Sequence, residues 1–296
     1  MPQPSRPLAA FAAAAWLALL AASAHAADLD AGLVGRLTGL KPTVQDGVVR
    51  VAVPRDDLQV TADGVDMQAF QGLTSWAAFQ PCPAGAMVMG DIVLTENEVN
   101  TTISAALASG LEVTALHNHF FFEEPRVYFL HIGGEGDLTR LAEAVKHTLS
   151  AREAAPKYTA RGFRGPPIEG DSEIDPEPLQ AILGGEPVVK DGMVKFTFGR
   201  TTTMHGLEVG AAMGVNTWAV FAGRAQAAVV DGDFAMTENE LQPVLRALRA
   251  AGINIVAIHN HMTHEEPRLV FLHYWARGSA AELARGLKSA LDAQKR

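Results

Sequence analysis

The chain has 296 residues and a formal net charge of −9, with 33 acidic against 24 basic side chains. This excess of acids argues against a general nucleic-acid binder, because phosphate contacts need clustered Lys and Arg. About half of the residues are apolar and about a fifth are charged, a composition typical of a folded globular protein with enough chain for two domains.

The first 26 residues have the features of a secretory signal peptide. Arg6 is followed by an apolar run from residue 8 to residue 22, and Ala24-His25-Ala26 has the small-x-small pattern of a cleavage site. The run is too short to span a bilayer comfortably, and no later stretch predicts a transmembrane segment. We therefore expect a soluble protein, periplasmic or secreted after cleavage near Ala26/Ala27. Cys82 is the only cysteine, so an intramolecular disulfide is excluded.

The chain contains an internal repeat. Residues 110–131 align without gaps on residues 252–273, and 12 of these 22 positions are identical at an offset of 142. We assign the first repeat to residues 28–150, a Pro/Gly-rich linker to 151–177 and the second repeat to 178–296. A period of this size predicts either two duplicated domains or two halves of one pseudo-symmetric domain.

Each repeat is predicted to have the same order of elements. A short helix (29–40; 178–183) precedes three strands (48–53, 76–80 and 86–94; 193–198, 218–222 and 227–235). The next helix begins at a capping box, Thr95-x-x-Glu98 or Thr237-x-x-Glu240. Two further strands and a closing helix (137–149; 279–293) complete the repeat. This order predicts an α+β fold of two tandem homologous units, each an antiparallel sheet with helices packed on one face.

Strand periodicity brings three histidines of each repeat together. Alternation along residues 111–119 places Val113, Ala115, His117 and His119 on one face. If the following strand folds back about residue 124, His131 lies opposite His117 and Phe129 lies opposite His119, with opposed side chains on the same face. We therefore expect the three imidazoles of the first repeat to converge, and likewise His259, His261 and His273 of the second.

Three imidazoles with one carboxylate suit Zn, Mn, Fe, Cu or Ni as a divalent transition metal. The spacing His-x-His-x3-Glu, with a further His on a neighbouring strand, resembles the ligand arrangement of cupins in spacing only, since cupins are all-β barrels. By this spacing Glu123 and Glu265 are favoured as ligands, while Glu124 and Glu266 are candidates for a general base. The predicted metal ligands are thus His117, His119, Glu123, His131, His259, His261, Glu265 and His273. A metal-free acid–base site and a purely structural use of the histidines remain alternatives.

The two repeats differ around the cluster. His205 and His264 give the second repeat additional ligand capacity, whereas the first has Phe120-Phe121-Phe122, which suits a wall, a lid or an interface. If only one site functions, we expect it to be the second. Trp76 and Trp218 are most simply interpreted as core residues of their sheets.

The repeated His-Asn-His-x3-Glu-Glu-Pro-Arg-x2-Phe-Leu-His segments resemble the LppY/LpqO-type family of exported bacterial proteins, and this resemblance covers most of the mature chain. It implies bacterial export and a duplicated domain of unknown function, and no established reaction. Lipoprotein members carry a lipidated Cys that is absent here, which favours a soluble periplasmic protein. Two functions follow as hypotheses: a metal-binding protein, with hydrolase-type catalysis as one form of it, or a non-catalytic binding protein for a small molecule or a cell-envelope component.

Overall fold

The computed structural model describes residues 28–155, 163, 167–168 and 170–294. The predicted signal peptide (1–26) and part of the predicted linker lie outside these residues. No helix within the described ranges is long and apolar enough to cross a membrane.

The first repeat forms twelve helices and strands, three of which are strands of only two residues. They are α1 (Ala31–Thr38), β1 (Thr43–Gln45), β2 (Val48–Pro54), β3 (Thr61–Ala62), β4 (Val65–Asp66), β5 (Thr74–Cys82), β6 (Gly85–Thr95), α2 (Glu96–Ala108), β7 (Glu112–His117), β8 (Glu123–Glu124), β9 (Val127–Gly136) and α3 (Leu138–Ala154). A 3-10 helix, Ala69–Gln71, precedes β5.

The second repeat follows the same order. Its elements are α4 (Pro176–Leu183), β10 (Val188–Lys190), β11 (Met193–Gly199), β12 (Thr202–Met204), β13 (Leu207–Val209), a 3-10 helix (Ala211–Met213), β14 (Asn216–Arg224), β15 (Ala227–Thr237), α5 (Glu238–Ala250), β16 (Asn254–His259), β17 (Glu265–Glu266), β18 (Leu269–Gly278) and α6 (Ala280–Ala293). The predicted elements are therefore present, and the short strands at the edges and in the loops are additions to them.

Twelve strands form one continuous antiparallel sheet in the order β1-β2-β5-β6-β9-β7-β16-β18-β15-β14-β11-β10. The two central strands come from different repeats and are joined where Leu116 pairs with Ile258. We call this junction the seam. The predicted α+β class, with antiparallel strands in two tandem homologous units, is confirmed, and the sheets of the two units are fused edge to edge.

The helices cover one face of this sheet. Alternate strand residues such as Phe79 and Ile92 are fully buried and pack in one apolar cluster with helix residues such as Ile103 and Leu141. The other face carries the histidines. Its outer parts are covered by two small three-stranded sheets, β4-β3-β8 and β13-β12-β17.

Both predicted capping boxes are formed, and their glutamates also fix the helix to the rest of the repeat. Glu98 closes the start of α2 and accepts two hydrogen bonds from Arg55, at 2.9 and 3.0 Å. Arg200 and Glu240 repeat the pair at 2.6 and 3.1 Å. Because a bidentate guanidinium–carboxylate pair has a defined geometry, it fixes the orientation of each helix start over the sheet.

A β-bulge interrupts each central strand, and the opposite repeat satisfies the backbone there. The pairing of β7 with β9 shifts between Val113 and Ala115, and β16 shifts against β18 at the matching place. The side-chain amide of Gln242 accepts from the Val113 N–H at 3.0 Å and donates to its carbonyl at 2.8 Å. Asn100 makes the equivalent pair of bonds with Ile255, at 2.7 and 3.0 Å. The seam is thus held by reciprocal contacts as well as by strand pairing.

Candidate metal centre

The bulge in β7 determines which side chains share the histidine face. Ala115 lies opposite His131, and His117 lies opposite Phe129. The predicted pairings of His117 with His131 and of His119 with Phe129 are therefore wrong by two residues. Because two residues are one full period of a strand, His117 and His131 still point to the same face.

Val113 is the side chain that the bulge removes from this face. Simple alternation predicts that it lies beside His117, but Val113 is fully buried in the helix-side core. A bulge inserts an extra residue into one strand, so the side chains before and after it change their relation to the two faces. The prediction for Val113 is therefore wrong, and those for Ala115 and His117 survive because both follow the bulge.

The second repeat brings three potential ligand atoms to one place. The Nε2 atoms of His259 and His261 are 3.1 Å apart, and the His261 Nε2 lies 3.1 Å from the Asp233 Oδ2. One ligand atom from each residue lies within 4.8 Å of the other two, the only such His/Cys/Asp/Glu group in the described part of the chain. The His261 ring is fixed by stacking on Phe271, with ring centres 3.5 Å apart.

Asp233 is held rigidly in this cluster. Its side chain is 2% exposed, and its Oδ1 accepts a hydrogen bond from the Leu272 N–H at 3.1 Å. Oδ2 is thereby left to face the histidines. A buried carboxylate is stable when such partners replace the lost water, so this geometry provides a fixed anionic ligand.

His273 lies next to the cluster, and its protonation can be derived from its partner. Its Nδ1 is 3.1 Å from the Gly232 carbonyl oxygen, and a carbonyl can only accept. The proton of a neutral His273 is therefore on Nδ1, which leaves a lone pair on Nε2. The ring lies flat on that of His259, with centres 4.8 Å apart and planes 4° apart. By contrast, the Nδ1 of His259 is buried without a hydrogen-bond partner among the described residues, so it lacks the outer-shell hydrogen bond that most metal-bound histidines have.

The first repeat gathers the same side chains in a looser arrangement. The His117 ring lies 5.1 Å from that of His119 and 5.0 Å from that of His131. His119 stacks on Phe129 at 3.3 Å, as His261 does on Phe271. Both repeats therefore bring three imidazoles together as predicted. Among the described residues, only in the second repeat do ring nitrogens and a carboxylate oxygen lie within 4.8 Å of one another.

Burial shifts the proton equilibria of both clusters. It lowers the pKa of His259 and of His119, because the charged imidazolium is poorly solvated there. Burial also raises the pKa of the Asp91 carboxyl, against the opposing effect of the nearby histidines. Neutral imidazole is the form that binds metals, so a lowered histidine pKa favours a ligand role near neutral pH.

The four predicted glutamates lie on the short strands β8 and β17, beyond the ends of the central strands. Glu265 is buried, and its Oε1 accepts from the Leu269 N–H at 3.1 Å. Glu123 is half-buried, and Glu124 and Glu266 are exposed. The ligand role of Glu123 and Glu265 and the base role of Glu124 and Glu266 stay predictions, while the carboxylate that the structure places against the histidines is Asp233.

Sequence reasoning missed Asp91 and Asp233 as site residues. Both lie in the middle of an apolar strand, and each is the direct neighbour of a histidine, Asp91 opposite His131 and Asp233 opposite His273. An acid retained at matching positions inside two buried strands was the available clue. This clue was not sufficient, because the sequence does not show that the strands of these aspartates lie beside the strands of the histidines. Trp76 and Trp218 pair with these aspartates and are half-buried on the histidine face, so they are not core residues.

No curated protein is similar enough in sequence to count as a match. Among solved structures, a trimeric bacterial microcompartment shell protein, PduB, is matched at 12% identity over 85% of this chain and 89% of that chain, with a TM-score of 0.20, which is too low to support any argument. A family model described as Domain of Unknown Function (DUF1259) matches residues 33–151 and again 177–293. The chain therefore belongs to this family and contains its domain twice.

Proposed function

We propose that the chain binds a divalent transition-metal ion in the second repeat, through His259, His261 and Asp233. The observation that supports this is the separation of 3.1 Å between the two Nε2 atoms and between Nε2 and Oδ2. Metal–ligand bonds of about 2.0–2.1 Å in a tetrahedral site place ligand atoms about 3.3 Å apart. The cluster therefore needs only small movements to accept an ion.

The proposed chemistry is that of a metal-dependent hydrolase. An ion held by three protein ligands keeps a position for water or substrate, and such an ion lowers the pKa of bound water and polarises carbonyl or phosphoryl oxygens. Histidine and carboxylate ligands admit Zn, Mn, Fe, Cu or Ni. The lone pair on the His273 Nε2 supplies either a further ligand or a proton acceptor beside the ion.

A non-catalytic binding protein is the second candidate, and a cleft at the seam favours it. This cleft has a volume of about 540 Å³ and is lined by both repeats, among others by Thr114, Asn239, Gln242, His259 and Arg268. A cleft with a few converging polar groups suits a small molecule or a fragment of the cell envelope. Ligand binding that is unchanged by a chelator would favour this candidate over the hydrolase.

We also propose that the protein is exported, on the signal-peptide features of residues 1–26. N-terminal sequencing of the protein recovered from a periplasmic fraction is expected to begin near Ala27. A product that retains Met1 in the cytoplasmic fraction would contradict export without affecting the metal site.

Elemental analysis of untagged protein tests the metal site. The protein is equilibrated with excess Zn²⁺, separated from free metal by gel filtration, and analysed by mass spectrometry for zinc per chain. The double variant His259→Ala/His261→Ala is expected to lose one equivalent. His147→Ala is the control, because His147 is exposed and bonds Ser109 on the helix side. Equal zinc in all three proteins, or none in the wild type, would refute the proposal.

Turnover is tested separately. Zinc-loaded wild-type protein is assayed on ester, phosphoester and amide substrates, with Glu266→Gln and Glu124→Gln as tests of the predicted general bases. Hydrolysis that is lost on chelation and restored by zinc supports the enzyme. A protein that binds zinc firmly and hydrolyses none of the three classes supports a binding role.

A further inference from the structure

The register at the seam places the two histidine clusters side by side. Leu116 pairs with Ile258, so the next positions bring Ala115 opposite His259 and His117 opposite Ala257. All four side chains point to the same face, since residues on either side of one pair share the opposite face from it. His117 and His259 are therefore diagonal neighbours, and residues in this relation lie about 7–8 Å apart.

The pairings with the flanking strands extend this pattern on both sides. His131 lies opposite Ala115, and His273 lies opposite Ala257. Asp91 and Asp233 follow on the next strands outward, opposite His131 and His273. The face thus carries a symmetric row of acids and imidazoles across six strands, and the two small alanines leave open space between the clusters.

Asp91 provides an independent indication of a ligand in the first repeat. The residue is 9% exposed, and its Oδ1 is buried without a hydrogen-bond partner among the described residues. In the second repeat the corresponding Oδ1 of Asp233 is bonded to the Leu272 N–H. A buried carboxylate oxygen without a partner is costly, and a bound cation would satisfy it.

The histidine next to the seam also has a lone pair available. The Nδ1 of His117 lies 3.3 Å from the Asn118 carbonyl oxygen, which can only accept, so the proton of the neutral ring is on Nδ1. Its Nε2 is then the unprotonated nitrogen. This is the hydrogen-bonding pattern found in most metal-bound histidines, in which one ring nitrogen donates to an outer-shell acceptor and the other binds the ion.

We propose that the seam carries one composite site for two divalent transition-metal ions, the second ion being held in the first repeat by Asp91, His117 and His131. This inference rests on the proposed function, because it takes the second-repeat cluster as the first ion site. Two metal ions that share one bridging oxygen are about 3.5–4 Å apart. The spacing between His117 and His259 is larger than this, so each ion has its own ligands. The two ions are neighbours on either side of Ala115 and Ala257.

Zinc stoichiometry tests the second ion. Wild-type protein is expected to bind two equivalents of zinc. Asp91→Asn/His131→Ala is expected to keep only the ion of the second repeat, and His259→Ala/His261→Ala only the ion of the first repeat. His147→Ala keeps both. If circular dichroism shows that the double change prevents folding, Asp91→Asn alone serves as the second variant, because it preserves the shape of the side chain. It is expected to weaken the affinity of the first repeat for its ion at least tenfold.

The outcomes separate the two proposals. One equivalent in the wild type, removed by His259→Ala/His261→Ala, would overturn the composite site and leave the proposed function intact. No bound zinc would overturn both. Two equivalents that Asp91→Asn and Asp91→Asn/His131→Ala leave unchanged would overturn the assignment of the second ion.

Electron paramagnetic resonance of the Cu²⁺-loaded protein tests adjacency. Strands are about 4.8 Å apart, so His131 and His259, two strands apart, are separated by about 10 Å. Two Cu²⁺ ions at such a distance broaden each other's spectrum and give a half-field transition, which is expected to vanish in Asp91→Asn/His131→Ala. A spectrum of two isolated Cu²⁺ ions at full occupancy would overturn the composite site.

Discussion

At the scale of single residues, the two amides that cross the seam matter as much as the proposed metal ligands. Gln242 and Asn100 occupy equivalent positions, and each replaces the sheet partner that a bulged residue of the other repeat has lost. Both are half-buried, so water substitutes only partly for them. Their function is to maintain the bulge, and the bulge in turn sets the direction of His117 and His259.

Gln242→Ala is therefore expected to destabilise the protein by about 1–3 kcal/mol, because the Val113 N–H and carbonyl lose their partners at once. Asn100→Ala should behave alike. Urea unfolding followed by circular dichroism measures the effect, with Gln80→Ala on the exposed surface expected to stay within about 0.5 kcal/mol of wild type. If Gln242→Ala is as stable as Gln80→Ala, the amide contacts do not hold the seam.

Asp91 and Asp233 show what could not be predicted from the sequence at this scale. Each histidine was recognised from strand alternation, which is local and readable in a single segment. The aspartates lie on strands that are adjacent in space but separated from the histidines by a helix in sequence. Their proximity depends on which strand pairs with which, and no local pattern fixes that.

At the scale of elements, close packing behind the histidine face leaves no room for a side chain at Gly232 of β15. A methyl group there would collide with the Trp218 carbonyl oxygen and with the Tyr274 hydroxyl. The Gly232 carbonyl also accepts the hydrogen bond that orients His273. Strand packing and site geometry therefore depend on the same backbone position.

Gly232→Ala is expected to cost about 3 kcal/mol, since an added methyl in a packed core forces neighbours to shift. Gly133→Ala is the matched control on β9, where the nearest atoms are 3.9 Å from an added methyl, and it should cost less than about 1 kcal/mol. Thermal unfolding of the two variants makes the comparison. Equal melting temperatures would show that the space behind β15 is larger than the structure indicates.

The strands and helices themselves were largely predictable, and their exact pairing was not. Capping boxes at Thr95 and Thr237 and the alternation of apolar residues indicate where helices and strands lie, because both patterns act within a few residues. The bulge after Val113 leaves no such pattern, since its stabilising partner, Gln242, lies in the other repeat. The predicted register was therefore displaced by two residues, although the face of His131 was predicted correctly.

At the scale of the whole molecule, the two repeats share one sheet because its inner and outer edges differ. The outer strands β1 and β10 have only three residues each, and short edge strands are poor templates for further pairing. The inner strands β7 and β16 are six residues long and bury Leu116 and Ile258 against each other's repeat. Pairing at the seam therefore covers β7 and β16, the two edge strands that would otherwise pair with other chains.

Separated repeats should therefore reassemble. Residues 28–150 and 178–296, produced as two chains in one cell, are expected to co-purify as a 1:1 complex, because each supplies the strand and the amide that the other lacks. The first repeat alone is expected to form a dimer through its exposed β7, since an unpaired apolar edge strand pairs with any similar edge. Light scattering coupled to gel filtration measures both masses.

The amides provide the specificity control for this assembly. Gln242→Ala in the second chain should weaken the 1:1 complex, whereas His147→Ala in the first should leave it unchanged, because His147 lies on α3 away from the seam. A first repeat that stays monomeric and melts at the temperature of the full chain would show two independent domains. The clusters at His117 and His259 would then be neighbours only because one chain joins them, and the proposed composite site would lose its structural basis.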